Sequence, residues 1–129
     1  METINIDGIQ YQIPRPPLKS SIIGLEFIIK HYGKSVIDVV LKAYDNTKTE
    51  VTPDMFDSFL KVFQSKPGLI YETFEMFLNS NYVLKNNKEF DLEEVYHEKG
   101  ANHLFRLLFK VLSENYFSFF LSNTTKKKG

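Results

Sequence analysis

The sequence predicts a mainly α fold with a minor β part: an N-terminal β-hairpin followed by a bundle of five to six short helices, in one domain. Three observations lead there. Apolar and polar residues alternate at period two only before Pro14, and beyond Leu18 the apolar residues recur at the helical period. That second pattern is interrupted by residues that start or stop helices: Gly33, Ser35, Thr52-Pro53, Ser65 and Asp91. At 129 residues the chain is long enough for one core and too short for two.

The hairpin is the sharpest local signal. Asp7 and Gly8 suit the central positions of a type I′ turn, where both residues need positive φ. Such a turn pairs Ile6 with Ile9 and Ile4 with Tyr11 on one face, leaving Thr3, Asn5, Gln10 and Gln12 on the other. Two strands alone are marginal, so the apolar face is expected to cover the chain's own helices. Pro14, Pro16 and Pro17 then stiffen the exit. The resulting division is a hairpin over residues 1–13, a helical body over 18–121 and a flexible tail over 122–129.

In the first helix, Ile22, Leu25, Ile28, Ile29 and Tyr32 form the expected inward stripe, ended by Gly33. Ser35 caps a second helix carrying Val36, Ile37, Val40, Leu41 and Tyr44. Thr52, Pro53 and Asp54 supply the cap, the first-position proline and the first-turn acid of a third. Its apolar face is Met55, Phe56, Phe59, Leu60 and Phe63. A fourth begins around Ser65 to Pro67, with Ile70, Phe74, Phe77 and Leu78 inward. The polar stretch from Asn79 to Lys88 reads as a loop and the best hinge. Asp91 with Glu94 three residues on is a variant of the capping box, and a long last helix runs from Ala101 to Leu121.

Sixteen basic and sixteen acidic residues cancel, so no net field recruits nucleic acid or an anionic membrane. Lys126, Lys127 and Lys128 add only a small salt-dependent attraction for phosphates. With no cysteine there is no disulfide framework or thiolate metal site. The apolar runs fall short of the roughly 20 residues of a membrane span, and the first residues lack a signal-peptide pattern. A cytosolic protein with neither nucleic acid nor membrane as partner is expected.

Candidates for chemistry are few. Glu94 and His97 share a helix face at the i, i+3 spacing that di-iron bundles use twice. Here the pair occurs once, and His103 and Glu93 complete no coordination geometry, so a solvated helix face is preferred over a metal site. His31 reads as a complement to the first helix's dipole, and Asp54 with Asp57 as an acidic first turn. There is no nucleophile elbow, no thiol and no phosphate-binding glycine cluster. The Asn123 glycosylation sequon has no meaning in a chain that is not secreted. No enzymatic activity, cofactor or metal is expected.

The last helix carries an apolar excess. Wound at about 100° per residue, Ala101, Leu104, Phe105, Leu108, Phe109, Leu112, Tyr116, Phe119 and Phe120 form one broad arc. Leu107, Val111, Phe117 and Leu121 fall on the other side, among Arg106, Lys110, Glu114 and Ser118. Either the helix is central and surrounded, or the second arc meets a client or another subunit. The second reading is preferred, because the excess sits late in the chain, and Leu107, Val111, Phe117, Phe120 and Leu121 are its contact residues. Burying three or four such side chains would gain on the order of 5–10 kcal/mol before association costs.

The strand pair INIDGIQYQIP, the helical body and the closing LFKVLSENYFSFFLS resemble tail assembly chaperones of long-tailed bacteriophages, above all siphophages of Gram-positive hosts. The resemblance implies a non-enzymatic chaperone that coats the helical tape measure protein until tail tube subunits polymerise around it. It implies the tape measure protein as client, the tail tube protein as a further candidate partner, a homo-oligomer, and a host cytoplasmic protein missing from the mature virion. It also offers an account of the lysine triplet, since many such phages make a longer form by a backward ribosomal slip, and lysine codons can spell a slippery run. A solvated basic tail is the alternative. A structural or adaptor subunit of a virion or other complex is the competing reading of the whole chain.

Overall fold

The computed structural model describes residues 1–33, 57, 61 and 64–125, with the backbone alone for 117–125. The fold is mainly α with a small antiparallel sheet. Among the described residues there are four helices, fewer than the five to six expected. The helix expected from Ser35 lies outside the described residues, and of the one expected from Thr52 only Asp57 and Lys61 are described, both helical.

Strands β1 (Glu2–Ile6) and β2 (Ile9–Ile13) pair in the expected register, Ile6 with Ile9 and Ile4 with Tyr11. Asp7 (φ 51°) and Gly8 (φ 85°) both take positive φ, as a type I′ turn requires, and the Gly8 N–H donates to Asn5 Oδ1 at 3.1 Å.

The stretch expected to be a hinge is instead built into the sheet. Tyr82 and Val83 are buried, and β3 (Leu84–Lys85) adds to β2 as a third strand, in the order β1-β2-β3. Asn86 (φ 51°) and Asn87 (φ 63°) make a tight turn closed by two 2.9 Å backbone hydrogen bonds between Lys85 and Lys88. Asparagine tolerates this left-handed conformation better than most residues. The Asn86 N–H donates to Gln10 O at 2.8 Å, and the Asn87 N–H to Gln12 Oε1 at 2.7 Å. Gln12, expected on a solvated face, is therefore buried.

Helix α1 (Leu18–His31) starts from Pro17, whose carbonyl accepts from the Ser21 N–H at 2.9 Å. Its inward face differs from expectation: Gly24, Ile28 and the following Tyr32 are buried, whereas Ile22 and Ile29 are exposed. Two tyrosines cause the difference. Tyr82 donates its hydroxyl proton to Ser20 O at 2.7 Å, and Tyr116 donates to Ser21 O at 3.0 Å. Both hydroxyls reach the helix across Gly24, where a Cβ would lie 2.5 Å from each and 2.8 Å from the Phe77 ring. Glycine lets α1 approach on that side. Ile28 lies only about 40° from Gly24 around the helix, while Ile22 and Ile29 lie about 140–160° away.

Helix α2 (Leu69–Phe77) begins later than expected, after Gly68 at φ 84°, and buries Leu69, Phe74 and Phe77. Tyr32 bonds to Thr73 Oγ1, which donates to Leu69 O at 2.7 Å. Burial pushes the Tyr32 hydroxyl pKa up to about 12, so the phenol stays a donor. Helix α3 (Leu92–Lys99) has the expected cap, with Asp91 Oδ1 accepting from the Glu94 N–H at 3.2 Å. Helix α4 (Ala101–Thr125) continues beyond Leu121, so residues 122–125 are helical where a flexible tail was expected.

The core surrounds α4. His103, Leu104, Phe105, Leu107, Leu108, Phe109, Val111, Leu112, Ser113 and Tyr116 are all buried, while Ala101 is exposed. The hairpin lies along this helix. Its turn is tied to His103 and Arg106, and Glu2 and Ile13 at its open end line one depression with Glu114 and Asn115. The lengths agree: five strand residues span about 17 Å, and the helix rises about 16 Å over the eleven steps from His103 to Glu114.

Candidate functional site

Contact residues expected on α4 divide in two. Leu107 and Val111 are fully buried members of the core, so they offer no surface to a partner. They follow His103 at successive four-residue steps, on the helix face over which the hairpin runs. The expectation failed because a helix wheel shows how much of a circumference is apolar, not which part the same chain covers. The side chains of Phe117, Phe120 and Leu121 lie outside the described residues.

The centre of the hairpin contact is a polar relay between residues distant in sequence. Tyr11 Oη lies 2.6 Å from His103 Nε2, and His103 Nδ1 lies 3.0 Å from Asp7 Oδ2. Arg106 bonds to the same Asp7 oxygen, and Lys99 Nζ donates to the Asp7 carbonyl at 3.2 Å. One proton arrangement accounts for the Tyr11, His103 and Asp7 contacts, while Arg106 Nε is buried without a partner among the described residues. The Tyr11 hydroxyl donates to Nε2, and His103 in its Nδ1–H tautomer donates to the Asp7 carboxylate. Hydrogen bonds from His103 and Arg106 hold the Asp7 carboxyl below its ordinary value. Burial, aided by the negative charges of Glu98 and Asp7, pushes the Tyr11 hydroxyl far up.

The order of groups is that of a nucleophile, a base and an orienting acid. Here, however, the hydroxyl is wholly buried and its pKa moves away from the ionised form a nucleophile needs. The relay fastens the hairpin turn to α4. His103 entered the sequence reading only as an incomplete metal ligand. Its signal is a histidine on an otherwise apolar helix arc, which implies a buried polar partner.

Glu94 and His97 do not converge. Lys85 Nζ binds Glu94 Oε1 at 3.1 Å and Glu98 Oε2 at 3.3 Å, while His97 Nε2 faces Glu93 at 3.7 Å. The Glu94 hydrogen bond in turn raises the Lys85 pKa. Among the described residues, no three or more His, Asp or Glu side chains group as a metal site. His31 sits in the last turn of α1 against the Phe27 ring, with centroids 4.7 Å apart. Asp57 is exposed, and Asp54 lies outside the described residues. No described helix is long and apolar enough to cross a membrane.

Among the described residues, α1 carries an open apolar line. Leu18, Ile22 and Ile29 are 79%, 45% and 54% exposed, with half-buried Leu25 between the last two. Their spacing, four then three then four residues, places them in one line along about 17 Å of helix. Exposed Lys19, Glu26 and Lys30 flank it. The sequence reading placed Ile22, Leu25 and Ile29 in the core stripe. Leu25 packs against the core, as expected, whereas Ile22 and Ile29 face outward. Apolar spacing alone cannot tell an inward line from a second, outward one. Compared with protein-family models, curated proteins and solved structures, the chain matches none.

Proposed function

We propose that this protein is a non-enzymatic chaperone of phage tail assembly that binds the helical tape measure protein and keeps it soluble in the host cytoplasm. The observation carrying this reading is the line Leu18, Ile22, Leu25 and Ile29 on α1. A ridge of that spacing with charged flanks is the complement of an amphipathic client helix lying along it. The surface differs from the α4 face expected from sequence, while the kind of client is the same.

The test is co-expression with a tape measure protein from a siphophage of a Gram-positive host, comparing the wild-type chain with the double variant Ile22→Glu, Ile29→Glu. Wild type should raise the soluble fraction of the client severalfold, and the variant should not, with equal helical circular dichroism. Equal solubilisation by both proteins rules out the α1 surface. Detection of the protein in purified virions favours a structural subunit instead.

A further inference from the structure

A second surface, sharing no residue with the α1 line, lies where α2, α3 and the start of α4 meet. A cleft of about 230 Å³ is lined by Ile70, Phe74, Leu92 and Leu104, with half-exposed Tyr71 and Tyr96 beside them. Pockets that enclose a drug-sized ligand or a cofactor run to about 300–1,000 Å³. This one is smaller, and its apolar lining suits one or two apolar side chains of another protein. Helices α2 and α3 contribute matching walls. On α2 Tyr71 precedes Glu75 by four residues, and on α3 Glu93 precedes Tyr96 by three. Each helix therefore sets a tyrosine and a carboxylate on one face, about 5–6 Å apart along its axis.

The surroundings of the cleft are acidic. Glu93 lines it directly, and an adjoining groove that shares Tyr71, Leu92 and Glu93 adds Glu75, Glu89 and Asp91. Glu75 also lines a depression between α2 and α1, together with Glu72. Among the described residues, no lysine or arginine lines any of the three. The sixteen basic and sixteen acidic residues of the chain balance, so this negative face is a local feature. Tyr71 feels it: its hydroxyl is pushed above its ordinary value chiefly by the charge of Glu75, with Glu93 contributing.

Apolar lining, tyrosine walls and an acidic rim are complementary to one kind of partner. The carboxylates repel nucleic acid and anionic lipid. A bare cation gains nothing from Phe74 and Leu104. A bulky apolar side chain with cationic neighbours satisfies both parts, because tyrosine faces and carboxylates favour ammonium and guanidinium groups, and half-exposed tyrosines anchor protein contacts. We propose that the cleft docks a basic amphipathic helix of another protein. One side chain the size of leucine or phenylalanine fills the cleft, and a lysine or arginine one turn to either side meets Glu75 and Glu93. Helices that dock in grooves place their anchors at that spacing. The contact uses none of the α1 line, so it stands or falls apart from that line's client.

Fluorescence anisotropy on the full chain tests this, with a labelled alanine-based helical peptide as the probe. The peptide carries one central phenylalanine and lysines three and four residues to either side of it. Wild type should bind it well below about 1 mM, and about tenfold more weakly when salt rises from about 0.05 to 0.5 M, because part of the contact is ionic. Replacing the phenylalanine of the peptide by alanine should weaken binding about tenfold, as should Tyr71→Ser with Tyr96→Ser in the protein. Glu75→Lys with Glu93→Lys should do the same, and that chain should instead bind a peptide whose lysines are exchanged for glutamates. All four altered positions are exposed, so helical circular dichroism should not change. The Ile22→Glu, Ile29→Glu chain should bind the lysine peptide as wild type does. No binding up to about 1 mM overturns the proposal, as does binding indifferent to Glu75 and Glu93. Equal binding of the alanine-substituted peptide reduces the contact to charge alone and overturns it too, and loss of binding in the Ile22→Glu, Ile29→Glu chain moves the contact to α1 and does likewise.

Discussion

Helices α4 and α1 both carry more apolar surface than one buried face requires, yet the surplus ends in opposite places. On α4 the extra residues Leu107 and Val111 disappear under the hairpin, drawn down by the Tyr11, His103 and Asp7 relay. On α1 the extra line of Leu18, Ile22 and Ile29 stays open, because Gly24 turns the other side of the helix inward. Apolar excess thus marks a surface that must be covered, and the other elements decide whether the chain covers it itself.

The largest effect is expected where α4 is covered. Leu107→Ala should cost about 2–5 kcal/mol of unfolding free energy, read by urea denaturation, as for other fully buried leucines. An unchanged midpoint with weakened self-association would instead make that face a contact surface and reverse the contrast.

Gly24→Ala comes next and tests what orients α1. In an exposed helix interior this change gains up to about 1 kcal/mol. Here the new methyl meets two tyrosine hydroxyls at 2.5 Å, so a net loss of about 1–3 kcal/mol is expected. Removing one obstructing hydroxyl with Tyr116→Phe should recover part of that loss in the double variant. A stabilising Gly24→Ala would mean that the tyrosines do not set the helix's rotation.

The relay is probed by Tyr11→Phe, which leaves His103 Nε2 buried without its partner. The expected cost is about 1–3 kcal/mol. Asp7 gives the matching pH dependence. Its folded pKa lies below the unfolded value, so its stabilisation is fully present above about pH 4 and is lost as pH falls through the folded pKa. Asp7→Asn keeps a residue that tolerates the turn's positive φ but removes this acid-side loss, which thermal melts between pH 2 and 6 would show. Identical acid profiles for the two proteins would remove Asp7 as a source of acid sensitivity.

The smallest effect on stability belongs to the open line of α1. Ile22→Glu should change unfolding free energy by no more than about 0.5 kcal/mol, as for other surface substitutions. A loss above about 2 kcal/mol would show that Ile22 is covered in the working protein and that α1 resembles α4 after all.

The sequence by itself determined the local structure: the hairpin and its register, the cap at Asp91 and the long last helix. Each of these rests on interactions within a few residues, as when the Asp7-Gly8 turn aligns Ile6 with Ile9, or Asp91 caps the Glu94 amide. One local signal could have been read further, since Tyr82, Val83 and Leu84 before Asn86 and Asn87 mark a strand entering a tight turn. Only the tertiary structure decided which apolar faces were spent on the core. The contacts that settled it join Tyr11 to His103 and Ser20 to Tyr82, 92 and 62 residues apart. Periodicity gives a helix its faces, whereas long-range packing selects which of them stays in water.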